Sequence, residues 1–333
     1  MKSMSWLKCS LLFGLVLASA PAAPADDLIR ARDFCYRQEY DSALAVVRAM
    51  CRCDTTDPAP YYWQASITQL LIYDSGNKQL IDSFYALSDR AVAKARNRLR
   101  RDSRDAQAHF YVGVTQLNRA NLLAWQQRRL PAFRTLLGVM PQLRTALAYD
   151  TTLADARFGI GVIEYFKANA DRYVFGLGLL GSRKKAYQLV KAVADRECLL
   201  QPAAQFLHAY MLKEDGDYAG AVRSCQALLL QYPGNRAALR LMRDAQYRGG
   251  MLSGAVATGR LVEQEVLHAC PGSRYALSEN WIVCGKAFAE AGLSDSARVR
   301  FDRVIAWEPY TGDVPWLSTY VREAKQWRKK LGS

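Results

Sequence analysis

The sequence repeats with an uneven period. Aligned in one register, its units open 34, 48, 48, 48, 34 and 42 residues apart. They begin at Pro24, Pro58, Ala106, Ala154, Pro202, Arg236 and Ser278. Because a helix–turn–helix unit occupies about 34 residues, such a repeat predicts a stack of helical hairpins. A chain of 333 residues therefore need not divide into separate globular domains, since each hairpin packs only on its neighbours.

A small residue recurs seven positions into every unit but one. These positions hold Ala31, Ala65, Gly113, Gly161, Ala209, Arg243 and Gly285. Helices approach each other more closely where the side chains at their contact are small. We therefore expect this position to be a helix crossing in each hairpin, with Arg243 as the exception.

The clearest single unit spans residues 215–235. It combines a glycine turn, an aromatic residue, a small helical residue and a closing proline, which are Gly216, Tyr218, Ala221 and Pro233. In this order the features resemble the tetratricopeptide repeat (TPR) family, and residues 281–309 match it as well. The resemblance implies an all-α, right-handed superhelical solenoid that binds a protein or extended peptide in its concave groove and is not an enzyme.

Three units, over residues 58–201, each carry 14 residues more than the shortest units. In the third unit the additional residues include Pro131 and Pro141, which predict a broken extra helical segment. We assign residues 26–312, with about seven repeats, to the solenoid.

Residues 313–333 form the C-terminal end of the predicted architecture. An apolar stripe at helical spacing, Trp316, Tyr320, Ala324 and Trp327, predicts a helix that caps the stack. A helix lying on a membrane surface would show the same pattern, so that alternative stays open.

The first 25 residues have the pattern of an export signal. Two lysines precede an apolar run over residues 11–20, and Ala23-Pro24-Ala25 offers a cleavage site. The run is too short to span a bilayer, and no other stretch approaches about 18 apolar residues. We expect an exported bacterial protein, periplasmic or associated with the outer membrane, without a transmembrane segment in the mature chain.

Positive charge dominates the sequence, with a formal net charge of +14 before cleavage. Export argues against nucleic acid as a partner and favours an anionic envelope surface or an acidic protein. The densest basic segment places Arg90, Lys94 and Arg98 on one helical face, with Arg101 nearby. We interpret these four residues as a candidate surface for an anionic partner; a solvated outer face is the alternative.

Aromatic residues recur exactly one long repeat apart. They are Tyr62, Phe110, Phe158 and Phe206. The TPR resemblance implies that this position faces the groove, where Tyr210 continues the face and Arg240 and Asp244 make it charged. Aromatic anchors beside arginine are typical of interface hot spots. The alternative is that the lengthened helices rotate and bury the rings as core.

Seven cysteines follow the predicted signal. An exported chain can form disulfides, but Cys225 and Cys284 occupy core positions of the hairpins, so we expect buried thiols there.

No motif in the sequence indicates catalysis, a metal or a cofactor. Residues 176–181 fit a G-x-G-x-x-G pattern, yet they lack the strand that a dinucleotide site requires before it. We interpret residues 173–180 as an apolar loop that either touches a membrane or partner or folds back on neighbouring repeats.

Overall fold

The computed structural model describes residues 25–170 and 181–332, and their regular structure is helical. The predicted export signal up to residue 24, the predicted loop at 173–180 and most of the glycine motif lie outside the described residues.

The α-helices follow one another with short connections. In chain order they are α1 (Ala25–Arg37), α2 (Tyr40–Cys53), α3 (Pro58–Ser75), α4 (Ile81–Arg101), α5 (Ala106–Trp125), α6 (Arg129–Leu137), α7 (Val139–Tyr149), α8 (Ala154–Ala170), α9 (Arg183–Ala194), α10 (Gln201–Asp215), α11 (Tyr218–Gln231), α12 (Arg236–Arg248), α13 (Leu252–Ala269), α14 (Arg274–Glu290), α15 (Ser294–Ile305) and α16 (Leu317–Lys330). Two 3₁₀ turns, Lys78–Leu80 and Glu308–Tyr310, join them.

The chain forms two compact units. One contains residues up to 71 and 79–208, and the other contains residues 72–78 and 209–333. In the first unit α1 packs on α2, α5 on α4 and α7, and α8 on α7 and α9. In the second unit α11 to α16 each pack on the next helix. Consecutive packing of this kind confirms the prediction of an all-α, TPR-like chain of helical hairpins, whereas the handedness of the superhelix stays a prediction.

The short segment 72–78 is held tightly within the second unit. Gly76 has a φ of +72°, and a Cβ built on it would lie 2.6 Å from Cγ of Tyr275. Only glycine combines that backbone conformation with so close a ring. The end of α3 therefore belongs structurally with helices that come some 160 residues later in the chain.

The helix starts follow the register predicted from sequence. The first helices α1, α3, α5, α8, α10 and α12 begin at, or within one residue of, the predicted openings. The exception is α14, which begins at Arg274, four residues before the predicted Ser278. Ser273 caps this earlier start by accepting a hydrogen bond from the backbone N–H of Ala276 at 3.4 Å. An N-cap of this type satisfies one of the orphan donors at a helix end, so it fixes the start one turn early.

The 14 additional residues are accommodated differently in each long unit. In the second unit α4 grows to 21 residues. In the third unit the second helix is split into α6 and α7 at Gly138, which confirms the predicted broken segment. Pro131 and Pro141 each occupy the third position of their helix, where the missing N–H has no intrahelical partner to lose. In the fourth unit most of the additional residues lie in the range that the structure does not describe.

The C-terminal helix α16 packs on α14 and α15, as a capping helix would. Its buried residues are Leu317, Val321 and Ala324, so the buried stripe begins one position later than the predicted Trp316 and Tyr320. The shift has a local cause, since Trp316 precedes the helix with a φ of +64°.

Glycines at the crossing position leave no room for a side chain. A Cβ on Gly113 would lie 2.9 Å from Cδ2 of Leu143, and one on Gly285 would lie 2.7 Å from Cε1 of Phe301. Gly161 meets α9 in the same way, at 3.0 Å. These distances confirm that the recurring small residue marks a close helix contact.

Arg243 occupies the crossing position without disrupting it because a neighbouring helix supplies the small residue. Gly259 of α13 lies opposite, and a Cβ there would be 2.1 Å from Sγ of Cys284 and 3.7 Å from Cδ of Arg243. The requirement for a small side chain therefore belongs to the contact and can move from one helix to the next.

We expect Gly285→Ala to lower the free energy of unfolding by about 1–3 kcal/mol, because the added methyl group overpacks the contact with Phe301. Urea unfolding followed by circular dichroism measures the change. Gly254→Ala is the matched control, since its Cβ meets only the flexible side chain of Gln246 at 3.2 Å. Losing a helical glycine there is worth up to about 1 kcal/mol of added stability. Equal effects of the two substitutions would contradict the close-crossing interpretation.

Candidate functional site

The structure buries the predicted aromatic column. Tyr62, Phe110, Phe158, Phe206 and Tyr210 are between 0 and 9% exposed. Of the two alternatives, groove or core, the structure favours the core, and in this conformation the rings are closed to a partner.

The additional helical segments of the lengthened units explain this burial. Helix α5, which carries Phe110, packs on α4, α6 and α7, so most of its residues are covered. The ring of Tyr111 lies edge-on to Phe110 at 5.4 Å and also contacts Tyr62 at 5.7 Å. A hairpin of ordinary length has no α6 to cover that face. The aromatic residues therefore stabilise the first unit.

A buried polar seam joins α3 to α5 beside these rings. The side-chain amide of Asn118 donates to Oγ of Ser66 at 2.9 Å, and that of Gln69 donates to the backbone carbonyl of Asn118 at 2.7 Å. Buried amides that find partners fix the register between two helices. The sequence analysis missed this seam, although Ser66 and Gln69 stand three residues apart within an otherwise apolar helix.

We expect Phe110→Ala to destabilise the protein by about 3–5 kcal/mol, because it removes a fully buried ring. Thermal and urea unfolding measure the loss. Tyr149→Ala, which truncates an exposed aromatic residue of α7, should change stability by less than about 0.5 kcal/mol. Unchanged stability in Phe110→Ala would show that the ring is not core and would restore the groove alternative.

The charged residues Arg240 and Asp244 belong to a buried charge cluster in the second unit. Its members are Asp74, Arg236, Arg240, Arg243, Asp244 and Glu279, each at most 8% exposed. Three arginines face three carboxylates, so the cluster is formally neutral.

Asp74 is the carboxylate that two arginines share. Nε of Arg236 donates to Oδ2 of Asp74 at 2.9 Å, and Nη1 of Arg240 lies 3.2 Å from its Oδ1. Burial favours the protonated acid, but Arg240 and Arg236 outweigh it and hold the pKa of Asp74 below its ordinary value.

Arg243 joins the other two carboxylates. Its Nη2 lies 2.8 Å from Oδ1 of Asp244 and 3.5 Å from Oε1 of Glu279, and its Nη1 donates to Oδ1 of Asn280 at 2.8 Å. Although burial lowers the pKa of Arg243, the two carboxylates raise it further, so the guanidinium stays charged. Arg240 and Asp244, predicted as the charged end of a groove, are thus engaged in internal ion pairs.

We expect Asp74→Asn to lower stability at neutral pH by about 3–5 kcal/mol, because it leaves two buried arginines short of a counter-charge. The folded-state pKa of Asp74 is depressed, so its contribution is present above the unfolded pKa near about 4 and is lost as pH falls through the folded pKa. The variant should therefore show a flatter fall of stability below about pH 4 than the parent protein.

Urea unfolding over a series of pH values measures this difference. Asp295→Asn, at a carboxylate that is 97% exposed, is the matched control and should follow the parent curve. A parent-like acid dependence in Asp74→Asn would contradict the role assigned to Asp74.

The predicted basic surface on α4 divides into structural and exposed residues. Nε of Arg98 lies 2.7 Å from Oδ2 of Asp105, an ion pair that ties α4 to the start of α5. Nζ of Lys94 lies 5.8 Å above the ring of Tyr61. Arg90 and Arg101 are exposed and form no ion pair with a described residue. The surface available to a partner is therefore smaller than the predicted set of four.

Cysteines in the described ranges are free thiols. Cys225 and Cys284 are buried as predicted, and burial raises the pKa of Cys225 to about 12. Such thiols are poor nucleophiles and metal ligands. Over the same ranges, His, Cys, Asp and Glu do not gather into groups of three or more suited to a metal ion. Nor does any helix described there combine the length and apolar character that crossing a bilayer requires.

Comparison with known proteins places the chain beside TPR structures. No protein-family model matches it, and no curated protein does. PilW, a type IV pilus biogenesis factor, aligns at 15% identity and a TM-score of 0.49, over 74% of this chain and 94% of its own. YrrB, a TPR protein with an unusual peptide-binding site, aligns at 15% identity and a TM-score of 0.43, over 70% and 97%.

A TPR protein from Parabacteroides merdae aligns at 14% identity and a TM-score of 0.44, over 90% of this chain and 98% of its own. At this level of similarity we transfer no residue role from any of the three proteins. The chain's own helix packing makes it an all-α protein of consecutive hairpins with a TPR-like fold.

Proposed function

We propose that this protein is a non-enzymatic scaffold that binds an acidic segment of another protein through the exposed basic residues of α4. The observation that carries the proposal is the contrast between charges matched inside the hairpins and charges left exposed on α4. In the buried charge cluster each arginine has a carboxylate partner, whereas Arg90, Arg96 and Arg101 lie exposed without an ion pair among the described residues.

Helix electrostatics explain only some of these basic residues. Arg98, Arg100 and Arg101 lie in the last turn of α4, where positive charge is stabilised by the helix dipole. Arg90 and Arg96 lie earlier in the helix, so they gain little from that effect and repel their basic neighbours. An acidic partner would relieve this repulsion. Because each exposed ion pair contributes only about 0.2–1 kcal/mol, such a partner would have to engage several arginines at once.

The cellular setting proposed for this scaffold is the bacterial envelope. It rests on the export pattern of the first 25 residues, and acidic envelope proteins would then be the partners within reach.

Site-specific photocrosslinking tests the proposal. Ala93 is exposed on α4 between Arg90 and Arg96, so a photoreactive residue there should form an adduct with one specific protein in native cells. The adduct should be recovered from the envelope fraction and identified by mass spectrometry. Arg90→Glu combined with Arg96→Glu should abolish it, because both substitutions turn attraction for an acidic segment into repulsion.

Gln226 is the matched control site, since it is exposed on α11. The partner should not be captured there, and Arg223→Glu on the same helix should leave the Ala93 adduct intact. Failure to form an adduct from Ala93, or identical adducts from both sites, would contradict the proposal.

A further inference from the structure

Helix α6 exposes two leucines that the fold does not use. Only Ala132 of this helix is buried, while Leu130 is 59% and Leu137 is 55% exposed. The two leucines stand seven residues apart and therefore lie on the same face of the helix. Arg134 lies four residues after the first and three before the second, so the face carries an arginine between two leucines.

The surroundings of α6 in the sequence are basic. From residue 106 to 149 the chain contains no aspartate or glutamate but five arginines. Arg128, Arg129 and Arg134 are exposed and form no ion pair with any described residue. This sets α6 apart from α4, whose own sequence contains two aspartates. Both the apolar and the positive side chains of α6 are therefore left to solvent by the fold.

We propose that α6 binds the surface of a bilayer that contains anionic lipid. Leu130 and Leu137 enter the headgroup region, and Arg128, Arg129 and Arg134 pair with lipid phosphate groups. A short helix with leucines and arginines on one exposed side has the character of interfacial helices, which lie in the membrane plane. Arg134 can follow the leucines to that depth because its long side chain carries the charge back towards the phosphates.

An acidic peptide is the other occupant that the arginines would accept, but the leucines favour the bilayer. They project singly from a helix with one buried side chain, whereas a peptide is usually held by apolar anchors that fill a pocket. The inference is independent of the protein-binding function proposed for α4.

Vesicle co-sedimentation with the full chain tests this inference. The parent protein should bind vesicles of phosphatidylglycerol and phosphatidylethanolamine at low salt, bind them less at high salt, and not bind phosphatidylcholine vesicles. Leu130→Asn with Leu137→Asn should lower the partition coefficient at least about fivefold. Arg128→Gln, Arg129→Gln and Arg134→Gln together should lower it at least about tenfold, since each basic residue near such a surface is worth roughly fivefold.

Matched controls separate α6 from a general effect of charge or apolar surface. Arg96→Gln, Arg101→Gln and Arg322→Gln remove the same charge elsewhere, and Leu261→Asn with Leu293→Asn alters two other exposed leucines. Both controls should bind as the parent does, and circular dichroism should show that every variant keeps its helices.

Three results would overturn the proposal. They are absence of binding by the parent protein, parent-like binding by the α6 variants, and an equal loss in the controls. If vesicles are not bound while the triple arginine variant of α6 loses the Ala93 adduct, the face serves a protein partner instead.

Discussion

Close helix contact at small residues is the constraint on which the hairpin packing depends. Where Gly113 faces Leu143 and Gly285 faces Phe301, one methyl group would already be too large. The backbones can then approach, and the large residues of each hairpin fill the spaces on either side of the contact. Arg243 shows how strict the constraint is, since a long side chain is accommodated only because Gly259 provides space on the adjoining helix.

The lengthened units change what the hairpins do with their aromatic residues. In the third unit α6 lies against α5, and the Phe110 side chain is fully enclosed. A residue type that would mark a binding surface in an ordinary hairpin becomes part of the interior. The same additional segment creates a new exposed face of its own, with Leu130 and Leu137 at the surface. Insertion has thus exchanged one apolar surface for another at a different place in the unit.

Features that depend on local sequence were predictable, whereas those that depend on packing between distant helices were not. The helix starts, the break near Pro131 and the buried Cys225 follow from spacing and local chemistry. The burial of Tyr62 and Phe110 depends on what covers them, which a periodic pattern does not specify. Similarly, Arg240 and Asp244 gave the same polar signal whether they faced solvent or each other's counter-ions. Asp74, more than 160 residues from Arg236, offered no local signal at all.

The discontinuity of the second unit has a consequence for dividing the chain. A fragment that starts at residue 209 would contain Arg236 and Arg240 but not Asp74, and it would leave Tyr275 without the backbone of Gly76 beneath its ring. Such a fragment would carry two surplus positive charges in its interior. The unit is therefore not separable by a single cut in the chain, and autonomous expression of the C-terminal half would require residues 72–78 to be supplied from elsewhere.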